Sequence, residues 1–121
     1  MDPIVAASPI KDRSDTGDIP KMPAYIIAQL AFNDLEAYRR YQRAFPAVFA
    51  RFDAQLLVAD EAPEILEGGW QRDKVVVMQF ADKEAARAFQ NDPGYAAIAR
   101  DRKAGADAVV LLVEGLRPLG R

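Results

Sequence analysis

The stretch Lys74-Val-Val-Val-Met-Gln-Phe80 restricts the fold more than any other. β-Branched side chains lose rotamer freedom in a helix and pack well on a pleated surface, so three consecutive valines favour a strand. Successive strand residues point to opposite faces, so Val75, Val76 and Val77 put apolar groups on both sides of the sheet they join. The same holds for Ile26 and Ile27 and for the run from Val109 to Val113. A sheet with helices on one face and water on the other alternates apolar and polar residues. These strands do not alternate, so something must cover the second face. A wet apolar face of that size is rare on a soluble monomer. The expected cover is a second copy of the chain packed sheet to sheet, because two-fold homodimers dominate soluble oligomers. Long loops and an N-terminal extension folded over that face are the alternative.

Around this strand the other elements follow in order. Residues 1–21, with Pro3, Pro9, Pro20, Gly17 and the charged run Lys11–Asp15, carry no helical or strand period and read as a flexible extension. Residues 22–121 read as one domain. A first strand lies within Met22–Phe32, rich in Tyr, Ile and Phe. Asn33-Asp34 gives an N-cap, and Asn33 with Glu36 has capping-box spacing. The helix behind them carries the stripe Leu35, Tyr38, Phe45, Val48, Phe49 and Phe52, and Pro46 inside it should kink or divide it. A shorter strand spans Ala54–Ala59, and Asp60–Gly69 is a loop. After the strand Lys74–Phe80, Asp82 caps a helix with Ala85, Ala86, Ala88 and Phe89 on its apolar side. Asn91-Asp-Pro-Gly94 breaks it. A further helix from about Tyr95 to Lys103 ends near Gly105. Ala108–Val113 is the last strand. The order βαββαβ with an extra helical turn predicts an α+β, ferredoxin-like fold, an antiparallel sheet with its helices on one face.

The composition narrows the chemistry. The 121 residues contain no cysteine and no histidine. Disulfides, thiolate nucleophiles and zinc–sulfur sites are therefore excluded, and so are the usual general base and the usual haem ligand. No metal or cofactor is expected. A net charge of −2 supplies no basic footprint, so neither nucleic acid nor an anionic membrane is an expected partner. No apolar run approaches the ~20 residues that span a bilayer, and the start, Asp2-Pro3 without a basic lead, does not read as a secretory signal. The expected address is the cytoplasm.

The residues also have a familiar order. Met22-Pro-Ala-Tyr-Ile-Ile-Ala, Asp34-x-Glu36-x-Tyr38-x-x-Tyr41, Glu67-Gly-x-Trp70, Val75-Val-Val with Phe80, Ala85-x-x-x-Phe89, Asp92-Pro-x-Tyr95 and Arg102 together resemble the domain of unknown function 1330 family over about residues 22 to 115. The resemblance implies a dimeric α/β barrel, two ferredoxin-like protomers joined through their sheets. It names no reaction. Asp53-Ala54 stands where the family usually carries a glycine pair, Lys74 where it usually carries arginine, and Ala81-Asp82 where it has Pro-Ser.

Several side chains are candidates for chemistry. Glu67, beside Gly68-Gly69 and Trp70, could serve as a proton shuttle if burial against the indole raised its pKa; the plainer reading is a positive-φ turn with Trp70 closing the end of the core. Tyr38 and Tyr41, three apart on one helix face, could share a pocket with Tyr25. Arg102 could grip a carboxylate, of a substrate or of Glu67, or simply suit the end of its helix. Arg72 and Lys74 offer a second cationic site or a solvated start to the strand. Gln29 and Gln79 interrupt two apolar strands on neighbouring positions of the expected sheet and could line one polar pocket, since a buried amide without partners costs about 1–3 kcal/mol. The expected function is a homodimeric module that binds a small apolar or aromatic molecule between sheet and helices. The alternatives are a cofactor-independent enzyme, monooxygenase- or isomerase-like, with Glu67 as acid/base and Arg102 or Tyr41 orienting an oxyanion, or a purely structural dimer.

Overall fold

A computed structural model of the protein describes residues 22–117, so the expected extension over residues 1–21 lies outside the described residues. Four strands, β1 (Ala24–Phe32), β2 (Ala54–Asp60), β3 (Lys74–Phe80) and β4 (Ala106–Glu114), form one sheet in the order β2-β3-β1-β4. Every neighbouring pair is antiparallel. Helices α1 (Leu35–Phe49), α2 (Lys83–Gln90) and α3 (Pro93–Gly105) complete the α+β, ferredoxin-like βαββαβ arrangement.

The strand period decides which residues meet the helices. Ala24, Ile26, Ala28 and Leu30 of β1 are buried, and so are Lys74, Met78 and Phe80 of β3. Onto them pack Tyr38 and Tyr41 of α1, Ala86 and Phe89 of α2, and Tyr95 and Ala99 of α3. Phe89 has no exposed surface and sits at the centre of an aromatic group, 4.4 Å from Tyr95, 5.2 Å from Phe52 and 5.5 Å from Phe80, centroid to centroid. Such ring pairs add about 0.5–1.5 kcal/mol each beyond area burial.

Among the described residues the other face of the sheet is apolar and open. Ile27 lies opposite Val77 and Leu111, with Val58 beyond Val77. Val58, Val109 and Leu111 are exposed, Leu111 by 46%. The β2–β3 loop reaches only one end of this face, where the Trp70 indole N–H donates to Gln29 Oε1 at 3.3 Å. That loop is pinned by Asp73, whose N–H donates to the Leu30 carbonyl while its carboxylate accepts from the Phe32 N–H.

Local chemistry moved several boundaries. Of the Asn33-Asp34 pair, Asp34 is the α1 N-cap: its carboxylate accepts from Ala37 N–H, so the Asn33–Glu36 capping box does not form, and the backbone N–H groups of both residues donate to the Gly105 carbonyl. Pro46 does not divide α1, which runs unbroken to Phe49. The ring withholds one N–H from the Gln42 carbonyl, but both residues are exposed and water can satisfy it. α3 starts at Pro93 rather than Tyr95, because Asp92 caps it and proline at the first helical position gives up a donor that had no partner. Gly105 ends α3 for a steric reason. A Cβ there would lie 2.5 Å from the Tyr38 backbone nitrogen and 2.7 Å from the Asp34 carbonyl oxygen. The absence of that Cβ lets the end of α3 close on the start of α1. This contact brings Arg102 alongside Tyr38 and Tyr41.

Candidate functional site

Two adjoining hollows lie between α1, α3 and the sheet, and Tyr38, Tyr41 and Val76 line both. The inner one, about 20 Å³, also meets Gln90, Tyr95 and Arg102. It holds roughly one water molecule. The outer one, about 70 Å³, is walled by Gln42, Phe45, Leu56, Ala59 and Lys74.

The helical period puts Tyr38 and Tyr41 on the buried face of α1, and Asp92 fixes the turn that brings Tyr95 against them. The Tyr41 and Tyr95 hydroxyls share a hydrogen bond of 3.1 Å. Burial pushes the Tyr41 phenol well above its usual pKa, Tyr95 adds to the effect, and the nearby Arg102 charge partly offsets it. Tyr41 therefore stays protonated at any physiological pH. Arg102 is 6% exposed; its side chain makes no hydrogen bond or ion pair among the described residues, and its Nε is buried without a partner.

At the outer mouth, Lys74 is 3% exposed. It is not a solvated start to the strand. Its ammonium donates to Glu61 at 3.2 Å and lies 4.9 Å from the Tyr38 ring centroid. Arg39 grips the same carboxylate with two bonds of 2.6 and 2.8 Å. Hydrogen bonding from Arg39 first, and from Lys74 second, holds the Glu61 carboxyl down to about 2, against the burial that opposes it. A depressed carboxyl pKa contributes stability that is present above its unfolded value of 4.5 and is lost as pH falls towards about 2. Glu61→Gln is expected to cost on the order of 1 kcal/mol near neutrality, discounted because the carboxylate is a third exposed. The loss should shrink at acid pH, so urea midpoints at about pH 6 and about pH 3 check it.

The expected site residues are divided between the two faces of the sheet. Tyr38, Tyr41 and Arg102 meet at the inner hollow. Tyr25, Gln29, Gln79 and Trp70 belong to the opposite face or its ends. Gln29 pairs across from Val75 and Gln79 from Tyr25, four positions apart on β1, or about 13 Å at the usual strand rise. They do not share a pocket. Gln79 instead lines an open groove of about 330 Å³ at the sheet end with Pro23, Asp53 and Gln55. Arg72 donates to the Asp107 carbonyl at 3.2 Å. Glu67 is exposed on the β2–β3 loop and lines neither hollow, and Gly68 beside it takes φ +84, the conformation that calls for glycine. Sequence reasoning missed Tyr95, Gln90, Glu61 and Arg39. Asp92-Pro93 was the available signal for Tyr95, since a cap and a first-turn proline fix the third helical residue.

Several solved structures share this fold. A protein of unknown function from Rhodopseudomonas palustris is 20% identical, with a TM-score of 0.68 over 81% of this chain and 85% of that one. SnoaB, a cofactor-independent oxygenase from Streptomyces nogalater, is 17% identical, with a TM-score of 0.59 over 83% of this chain and 99% of that one. A dimeric ferredoxin-like protein of unknown function from Thermobifida fusca is 18% identical, with a TM-score of 0.57 over 78% of this chain and 92% of that one. At these identities the likeness is one of fold. No curated protein matches the chain. Among the described residues no helix is long and apolar enough to cross a membrane. Residues 23–116 match the family described as Domain of unknown function (DUF1330), and the chain belongs to that family.

Proposed function

We propose that the protein is a homodimer, joined through the open face of its sheet, that binds a small, mainly apolar molecule between sheet and helices. The carrying observation is the pair of adjoining hollows around Tyr38 and Tyr41, apolar on most sides with a few convergent polar groups. That combination is the usual character of a small-molecule site. The dimer is supported by the apolar, exposed residues Val58, Val109 and Leu111 around Ile27, and by the dimeric state of fold relatives from Thermobifida fusca and Bacteroides fragilis. Sheet-to-sheet packing of two copies would cover what one chain leaves wet.

The enzyme reading built on Glu67 gains no support. A general base must come within hydrogen-bond reach of the reacting group, and this carboxylate is exposed on a loop away from both hollows. Glu67→Gln is accordingly expected to leave ligand retention and stability unchanged.

Native mass spectrometry of protein purified from its own source tests the reading, with Glu67→Gln measured alongside. The expected species has twice the 13.4 kDa chain mass plus a retained small molecule, in both forms. A monomer at micromolar concentration would end the dimer claim. A dimer that carries no mass and takes up no small molecule when challenged would leave a structural role only.

A further inference from the structure

We infer that the ligand of this cleft is a small carboxylate, its anionic end held by Arg102 in the inner hollow and its short aliphatic body in the outer one. The inference rests on the cleft being a ligand site, as proposed above. Three features of the inner hollow point to an anion.

The first is the unpaired cation. Arginine stays protonated in proteins and carries only donors. Arg102 is 6% exposed, and its Nε has no partner. Interiors keep buried charges paired because an uncompensated one is costly. No acidic side chain lines either hollow to compensate it. Asp101, the next residue, is turned towards Arg40, and Glu61 is committed to Arg39 and Lys74.

The second is the tyrosine pair. Two hydroxyls joined by one hydrogen bond use one of their two protons for it. Tyr41 and Tyr95 therefore keep a second O–H free, and both residues line the hollow that Arg102 lines. A guanidinium N–H and a phenolic O–H converging on one small space suit the two oxygens of a carboxylate, and charge-assisted bonds of this kind are the strong ones.

The third is size. The inner hollow, about 20 Å³, has room for little more than a carboxylate group. The outer one is about 70 Å³ and bounded by Phe45, Leu56 and Val76. An apolar cavity of roughly 150 Å³ accommodates benzene, so a body smaller than a phenyl ring fits better here. Such a ligand would run along the Tyr38 and Tyr41 rings that the two hollows share.

The probes are isovalerate and its neutral isostere isovaleramide, titrated into the protein near neutral pH at constant ionic strength and followed by backbone amide NMR. Isovalerate is expected to shift amides around Tyr38–Tyr41 and Arg102 and to bind about tenfold more tightly than isovaleramide, the difference between a charged and a neutral hydrogen bond. Arg102→Met should remove that preference. If isovaleramide binds the cleft as well as isovalerate does, the anionic inference falls and the cleft reading stands. If neither saturates there, both fall. Isovalerate shifts confined to other surfaces would also overturn the inference. The comparison of the two probes on the unmodified protein does not depend on the variant folding.

Discussion

Ile27→Lys is expected to convert the proposed dimer to a monomer at micromolar concentration, leaving the fold intact. Ile27 occupies the middle of β1 on the face away from the helices, with Val77 on one side and Leu111 on the other. Its side chain does not enter the core built by Ile26 and Ala28. Ile27 is half-buried within one protomer, so a lysine there can lay its stem along the sheet and keep its ammonium in water at little cost. At the centre of a sheet-to-sheet interface, each copy would bury an unpaired ammonium, a penalty of several kcal/mol even after relaxation. At 1.4 kcal/mol for each factor of ten, the dissociation constant should rise by about three orders of magnitude. Sedimentation velocity reads the mass, and far-UV circular dichroism the fold. Leu66→Lys is the control: Leu66 is 85% exposed on the β2–β3 loop and should leave the mass unchanged. If Ile27→Lys sediments as a dimer, the protomers meet elsewhere.

The case for that interface begins in the sequence, and the structure leaves the apolar face it would use open among the described residues. Runs such as Val75–Val77 and Val109–Val113 cannot hide both faces behind helices that lie on one side. The element order was equally legible, because every strand is rich in β-branched or aliphatic residues and the boundaries are marked by Asp34, Asp82 and Asp92. What failed were decisions between competing local signals. Asn33 and Asp34 both suit an N-cap, and only the helix start, one turn before Tyr38, places the Asp34 carboxylate on the Ala37 N–H. Pro46 was read as a breaker from its chemistry alone, but its damage depends on whether the freed carbonyl is wet.

The candidate site was legible by helical period and obscure by sheet position. Tyr38 and Tyr41 were named because spacing along a helix fixes a shared face, and Arg102 because a guanidinium near a helix end could grip a carboxylate. Their convergence also requires α1 and α3 to touch, which Gly105 permits by lacking a Cβ. Gln29 and Gln79 were paired because their strands are neighbours; antiparallel register, which no single strand carries, sets them four positions apart. Trp70 was expected to close the core, yet it caps the opposite face by donating to Gln29. Lys74 illustrates the same limit. A lysine opening a strand looks solvated until Glu61, delivered by the end of β2, arrives to pair it.

Arg102→Met is expected to make the ligand-free protein more stable, by about 1–4 kcal/mol, the range over which buried ionic groups give way favourably to apolar ones of similar volume. Most arginine truncations destabilise, because the stem packs and the guanidinium bonds. Here the methionine retains much of the stem, and there is no side-chain bond to lose: the guanidinium has no partner among the described residues, and its Nε is buried. The charge it removes also bears on Tyr41, whose phenol Arg102 draws slightly back towards ionisation against the effect of burial. Urea unfolding of the two proteins, freed of ligand, measures the difference, with equal m-values showing that the same transition is compared. A loss of stability would mean that the guanidinium is satisfied in the free protein, by an ordered water in the inner hollow for instance, and would remove the reason for an anion to bind there. A gain would show that the chain keeps a destabilising charge in its interior. Adding isovalerate should then narrow the gap, because a ligand that binds only the folded state stabilises it in proportion to its occupancy, and only the arginine form should respond strongly. Stability given up in the free protein and recovered on binding is the signature of a residue held for a ligand rather than for the fold.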